Sequence, residues 1–137
     1  NICRSPTADA VMRQMARQHG LNIQIDSCGM HGYHIGEPPD TRSQDIARKN
    51  GIEMNFLRAR KICQDDFKNF DYLLAMDQGH LQAMRRLCPP QYAHKLSLFI
   101  GNQDVPDPYY GNLQGFEDVF NLIHRGCDTF LTNHLLR

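Results

Sequence analysis

Residues 71–101 read DYLLAMDQGHLQAMRRLCPPQYAHKLSLFIG. DYLLAM is a compact apolar run that fits a buried strand. QGHLQAMRRLCPP has helical spacing and is closed by Pro89 and Pro90. KLSLFIG is a second apolar run of strand length. A strand, a helix and a strand in succession place the two strands in parallel, with helices covering the sheet on both faces. Helical crossovers of this kind are right-handed. Working outward, residues 21–29 (LNIQIDSCG) predict a further strand, with Ile23 and Ile25 alternating and Gly29 ending it. Residues 30–40 (MHGYHIGEPPD) form a Gly/Pro-rich loop. A short helix follows, with Asp40 as cap and Gly51 as terminator. From Phe116 to Leu136 a long helix carries Phe116, Val119, Phe120, Ile123, Cys127, Phe130 and Leu131 on one face. The chain shows three strands, and a fourth, before Asn1, would complete the first strand–loop–helix unit.

The totals exclude several classes. At 137 residues the chain is one domain's worth. Fifteen Lys and Arg balance fifteen Asp and Glu. No global electrostatic case exists for nucleic acid or an anionic membrane. No apolar run reaches membrane-spanning length. The five cysteines are scattered, without metal-ligand spacing, and read as reduced thiols in a cytoplasm. The seven histidines show no metal pattern either, so neither metal nor cofactor is expected.

The chain opens NICRSPTADAVMRQMARQHG. Ser5 has the chemistry of an N-cap and Pro6 suits the first helical position. Ala8, Val11, Met12 and Met15 share one face, and Gly20 is the stop. An Arg at a helix N-terminus, where backbone amides and the helix dipole favour negative charge, resembles half of an anion-binding loop. Arg4 adds a planar fork that can hold two phosphate oxygens. Ligands of parallel sheets bind beyond the carboxyl ends of the strands. The loop DVPDPYYG (104–111) lies at such an end. Asp107 precedes Pro108, which pushes its backbone to an extended form and fixes its carboxyl direction. An acid beside Tyr109 and Tyr110 suits proton delivery to a flat leaving group. By composition Asp104 could equally be that acid. Asp77, just past a strand end, could cap the next helix or brace the anion loop.

NICRSPTADAVM, DSCG, DDFKNFDYLLAMD and DVPDPYYG together resemble the low-molecular-weight protein tyrosine phosphatases. The similarity runs through nearly the whole chain in the correct order. It implies a single α/β domain over residues 1–137: a three-layer sandwich around a four-stranded parallel sheet. Its first strand would lie before Asn1. Aligning the family's Cys, five residues, Arg, Ser loop on Arg4 and Ser5 puts the nucleophilic Cys three positions before Asn1, so the chain as given is expected to start inside its catalytic loop and to lack turnover. Cys3 matches the family's second loop cysteine, which can form a reversible disulfide with the first. The resemblance implies hydrolysis of phosphotyrosine proteins or small aryl phosphates through a phosphocysteine intermediate. Arg4 would clamp the equatorial oxygens, and Ser5 would stabilise the thiolate. Asn1 would hold the loop's shape; Asn1, Ile2, Cys3 and Arg4 would line the phosphate site. Asp107 would protonate the leaving oxygen and then activate water. Tyr33 and Tyr109 would wall the cleft, and Asp77 would support the loop.

Two departures stand out. Family members often carry a His in the segment matching NFLRARKI, where this chain has Phe56 and Leu57. DSCGM has Cys28 and Met30 where Ala or Gly and Thr are common. Arsenate reduction on the same fold needs a redox cysteine pair after the middle strand, where this chain has Cys88 alone. A non-catalytic phosphate-binding remnant is the other alternative.

Overall fold

The computed structural model describes residues 3–109 and 111–136. Asn1, Ile2 and Tyr110, three residues singled out above, lie outside them. The elements run α1 (Arg4–Gln18), α2 (Thr41–Lys49), α3 (Gln64–Asn69), β1 (Leu73–Ala75), α4 (Gln78–Leu87), a 3-10 segment (Pro90–Lys95), β2 (Leu96–Leu98) and α5 (Leu113–His134).

β1 and β2 pair in parallel, Leu73 opposite Leu96 and Ala75 opposite Leu98, joined through α4. Side chains of a strand alternate between faces, and here they build two cores. Leu73, Ala75, Leu96 and Leu98 pack with Phe67 of α3 and with Leu81 and Met84 of α4. Leu74, Met76 and Phe99 belong to the other core, with Val11 of α1, Ile46 of α2, and Ile123 and Leu131 of α5. The protein is therefore α/β, with helices on both faces of a parallel sheet.

The helix ends follow the sequence closely. Gly20 (φ +66°) and Gly51 (φ +78°) take the left-handed conformation that only glycine adopts cheaply. At both, a backbone N–H reaches back over the last turn: Leu21 to the Ala16 carbonyl and Ile52 to the Ala47 carbonyl, each 2.9 Å. Asp40 caps α2 by accepting the Arg42 N–H. The start of α1 differs from expectation. Cys3, not Ser5, is the N-cap residue, because its carbonyl accepts both the N–H and the hydroxyl of Thr7 (3.3 and 2.7 Å). That extra bond draws Arg4 into the helix. The α5 stripe is as expected, except that Phe130 is only partly buried.

Residues 21–28 correct the reading of a third strand. Their burial does alternate, with Leu21, Ile23 and Ile25 half-buried between exposed neighbours, but they form no ladder. Among the described residues only Gly29 of this segment bridges, in parallel, to Lys61. Alternation reports two faces, whereas a strand also needs a neighbour about 4.8 Å away to bond with. Along this segment lies a cavity of about 660 Å³, walled elsewhere by Ala8 and Met12 of α1 and by Leu74 and Met76. Among the described residues the sheet is thus two-stranded.

Candidate active site

Arg4 opens α1, and its guanidinium is held from two sides. Nη1 donates to Asp77 Oδ2 at 2.9 Å and to the Val105 carbonyl at 2.8 Å. Nη2 lies 4.0 Å from Asp107 Oδ2. The Arg4 side chain is only 11% exposed, so its direction is fixed by these partners rather than by solvent. The same end of α1 presents its first-turn amides and the positive end of its dipole.

Each partner is positioned by the fold. Asp77 follows β1 closely and is the N-cap of α4, where its Oδ1 accepts the His80 N–H at 2.8 Å. One carboxylate therefore caps a helix and braces Arg4, combining two roles that the sequence left as alternatives. Burial raises its pKa, but the His80 N–H and the Arg4 guanidinium outweigh that and hold the carboxyl below the usual range. The loop carrying Asp107 is tied to the same strand end. Val105 N–H donates to the Met76 carbonyl at 2.7 Å, and Asp104 Oδ1 accepts the Gln78 N–H at 3.0 Å. Asp104 is thereby engaged as a tie to α4. Asp107 is half exposed, and its Oδ1 accepts the Tyr109 N–H at 3.0 Å in a local turn.

The other expected site residues fall as follows. Ser5 sits in the first turn of α1 and lines the cavity, as do Tyr33 and Tyr109. Tyr33 is 85% exposed, whereas Tyr109 is half-buried against the main core. Cys3 is buried, and burial, with help from the Asp40 carboxylate, pushes its thiol up to about 12.

Three contributors went unread in the sequence. Val105 acts through a backbone carbonyl, which no side-chain pattern reveals. Arg42 donates to the Tyr109 carbonyl at 3.0 Å, pairs with Asp40 and lies 4.3 Å over the Phe116 ring, so it fastens the Asp107 loop to α2 and α5. Its position two residues after a capping Asp was the available signal. His80 places its ring Nδ1 3.7 Å from Asp77 Oδ1. Its signal was its spacing, three residues after Asp77.

The family model described as "Low molecular weight phosphotyrosine protein phosphatase" matches residues 1–137. The chain belongs to that family. Among its relatives, a Bacillus subtilis protein named low molecular weight protein-tyrosine-phosphatase YfkJ is 40% identical over 142 residues, covering 97% of this chain and 89% of the relative. The human low molecular weight phosphotyrosine protein phosphatase is 39% identical over 140 residues, covering 96% and 88%. A crystal structure of a protein tyrosine phosphatase from Entamoeba histolytica, with Hepes in its active site, superposes with a TM-score of 0.92 at 34% identity over 97% of this chain and 90% of the other. In this phosphatase Phe56 is largely exposed beneath the Arg13 guanidinium while Leu57 enters the core. The five cysteines are free thiols. Among the described residues no helix is long and apolar enough to cross a membrane.

Proposed function

We propose that this phosphatase hydrolyses phosphotyrosine and small aryl phosphates through a phosphocysteine intermediate. The observation that carries the reading is the approach of Asp107 to within 4.0 Å of an Arg4 whose other amino group is pinned by Asp77 and Val105. An anion grip and a proton donor thus stand within one substrate's width. The Hepes in the Entamoeba structure is a sulfonate, and supports a site for a tetrahedral anionic group.

In this reading the nucleophile is a cysteine thiolate three positions before Asn1. Cys3 is unsuited to the task, being buried and with its thiol pushed up to about 12. The thiolate attacks phosphorus, and the phosphorus–aryloxygen bond breaks as Asp107 gives its proton to the leaving oxygen. Arg4 and the α1 amides hold the equatorial oxygens, where charge is carried in the transition state. Ser5 donates its hydroxyl to the departing thiolate. Asp107, now ionised, takes a proton from water, which attacks the phosphocysteine and releases phosphate and thiolate. Asn1, Ile2 and Cys3 complete the phosphate loop, Asp77 keeps Arg4 in place, and Tyr33 and Tyr109 flank the aryl ring. A four-stranded sheet within one domain belongs to the same reading. Its support is the alternating residues 21–28 beside the cavity.

The test uses the protein with its upstream cysteine and p-nitrophenyl phosphate as substrate. Arg4→Ala abolishes turnover. Asp107→Asn lowers kcat by roughly 10²–10⁴, the range for one acid–base group, with KM little changed. A collapse of substrate binding in Asp107→Asn, or turnover by residues 1–137 alone, refutes the assignment.

A further inference from the structure

His80 lines the same cavity as Arg4, although nothing in the reaction above uses it. Its backbone N–H bonds Asp77 Oδ1 at 2.8 Å, and its ring Nδ1 stands 3.7 Å from that same oxygen. Asp77 Oδ2 is meanwhile the acceptor for Arg4 Nη1. One carboxylate is therefore shared between the guanidinium and an imidazole. We propose that His80 is a positioning residue for the anion site: its protonated ring takes a share of the Asp77 charge, leaving the Arg4 guanidinium more of its own charge for a bound oxyanion. The inference rests on the reading of Arg4 as the anion grip.

The geometry gives the coupling its direction. A neutral ring leaves Asp77 to Arg4, and the grip is partly neutralised by its own brace. An imidazolium closes on Oδ1 as a second cation on that carboxylate, and the site then holds one more positive charge. A bound anion favours the protonated ring by the same factor that the protonated ring favours the anion. Besides Asp77, the charges acting on the ring include Arg4 on α1 and His31 in the loop after Gly29. Burial lowers the ring's pKa; Asp77 opposes this and Arg4 adds to it, so the ring takes up its proton below the usual histidine range. The α4 cap uses the backbone N–H, so replacing the side chain leaves the cap in place.

Sulfate is the probe, because it keeps one charge state from pH 5 to 8. Its affinity is measured by calorimetry across that range for the wild type, His80→Asn and Arg4→Met. His31 and His34 also line the cavity and are present in both proteins, so the difference between wild type and His80→Asn reads the His80 ring. On going from pH 7.5 to 5 the wild type gains about fivefold more affinity than His80→Asn, at the low end of couplings between sites. In NMR titrations, saturating sulfate raises the pKa of the His80 ring by about 0.7, the same factor read from the other side. A merely structural His80 would move neither quantity. Arg4-dependent sulfate binding with identical pH profiles in wild type and His80→Asn overturns this proposal and leaves the phosphatase mechanism standing. Sulfate binding that is absent, or unchanged in Arg4→Met, overturns both.

Discussion

Replacing Asp77 separates its two tasks. Asp77→Ser keeps an N-cap hydroxyl for the His80 N–H, since Ser caps helices about as well as Asp, but it is too short to reach Arg4 as well. Asp77→Ala removes both contacts. The cap contributes about 1 kcal/mol. A hydrogen bond between charged groups contributes about 1.5–3 kcal/mol when buried. Asp77 is 25% exposed and Arg4 11%, so solvent screening reduces that figure to roughly 1–1.5 kcal/mol. The Val105 carbonyl remains as a partner for Nη1, which limits the loss further. Asp77→Ser is therefore expected to cost about 1 kcal/mol and Asp77→Ala about 2 kcal/mol, read as shifts of the urea midpoint at unchanged m-value. The native Asp77 carboxyl titrates below its ordinary value. Its contribution is accordingly complete above the unfolded carboxyl pKa and is lost as pH falls through the lower folded one. The gap between wild type and Asp77→Ser begins to narrow below about pH 4 and closes as pH passes below the folded value. Equal stability of Asp77→Ser and wild type at pH 7 would show that the ion pair contributes nothing and that Val105 alone holds Arg4. A gap that persists unchanged at pH 3 would refute the electrostatic account.

At Gly126 of α5, an added Cβ would sit 2.7 and 2.9 Å from the Phe99 ring. Gly126→Ala is expected to destabilise by about 1 kcal/mol, because overpacking of 1–3 kcal/mol exceeds the helix-propensity gain of about 1. In a Phe99→Leu background the sign should reverse, as denaturation of the double mutant would reveal. Asp66 accepts two bonds from Arg60 at 3.0 Å and caps α3 through the Cys63 N–H. Asp66→Ala should cost about 2–3 kcal/mol at pH 7 and progressively less as acid protonates the wild-type carboxyl, whose pKa Arg60 holds down. Leu131→Ala, at a fully buried position of α5, should cost 2–5 kcal/mol by calorimetry, and a loss below 1 would mean that α5 is not packed as described.

Much of the architecture was legible because helix signals are local. Asp40, Gly20, Gly51 and the α5 stripe each act within one or two turns. The β1–α4–β2 unit was legible because both of its strands are short, apolar and bounded. Residues 21–28 alternate yet form no ladder among the described residues, because alternation records burial whereas pairing depends on a distant neighbour. Ser5 misled for a smaller reason: Thr7 satisfies the Cys3 carbonyl and moves the helix start by more than the pattern could reveal. At the site, the family motif singled out Arg4, Asp77 and Asp107, which the fold brings together. It could not reveal Val105, whose carbonyl is identical in every residue type. Arg42 acts across 67 residues on Tyr109, a separation no local rule spans.

The cavity beside residues 21–28 also divides the molecule by how fast its amides trade hydrogen for deuterium. Among the described residues, the N–H groups of Asn22 to Asp26 donate to no backbone carbonyl, whereas β1 and β2 are laddered together and covered by helices on both faces. In residues 1–137 alone, local openings start at this flank and label enters there within seconds, whereas a paired upstream strand would slow it; the β1–β2 pair holds its protons in either case until the whole domain unfolds.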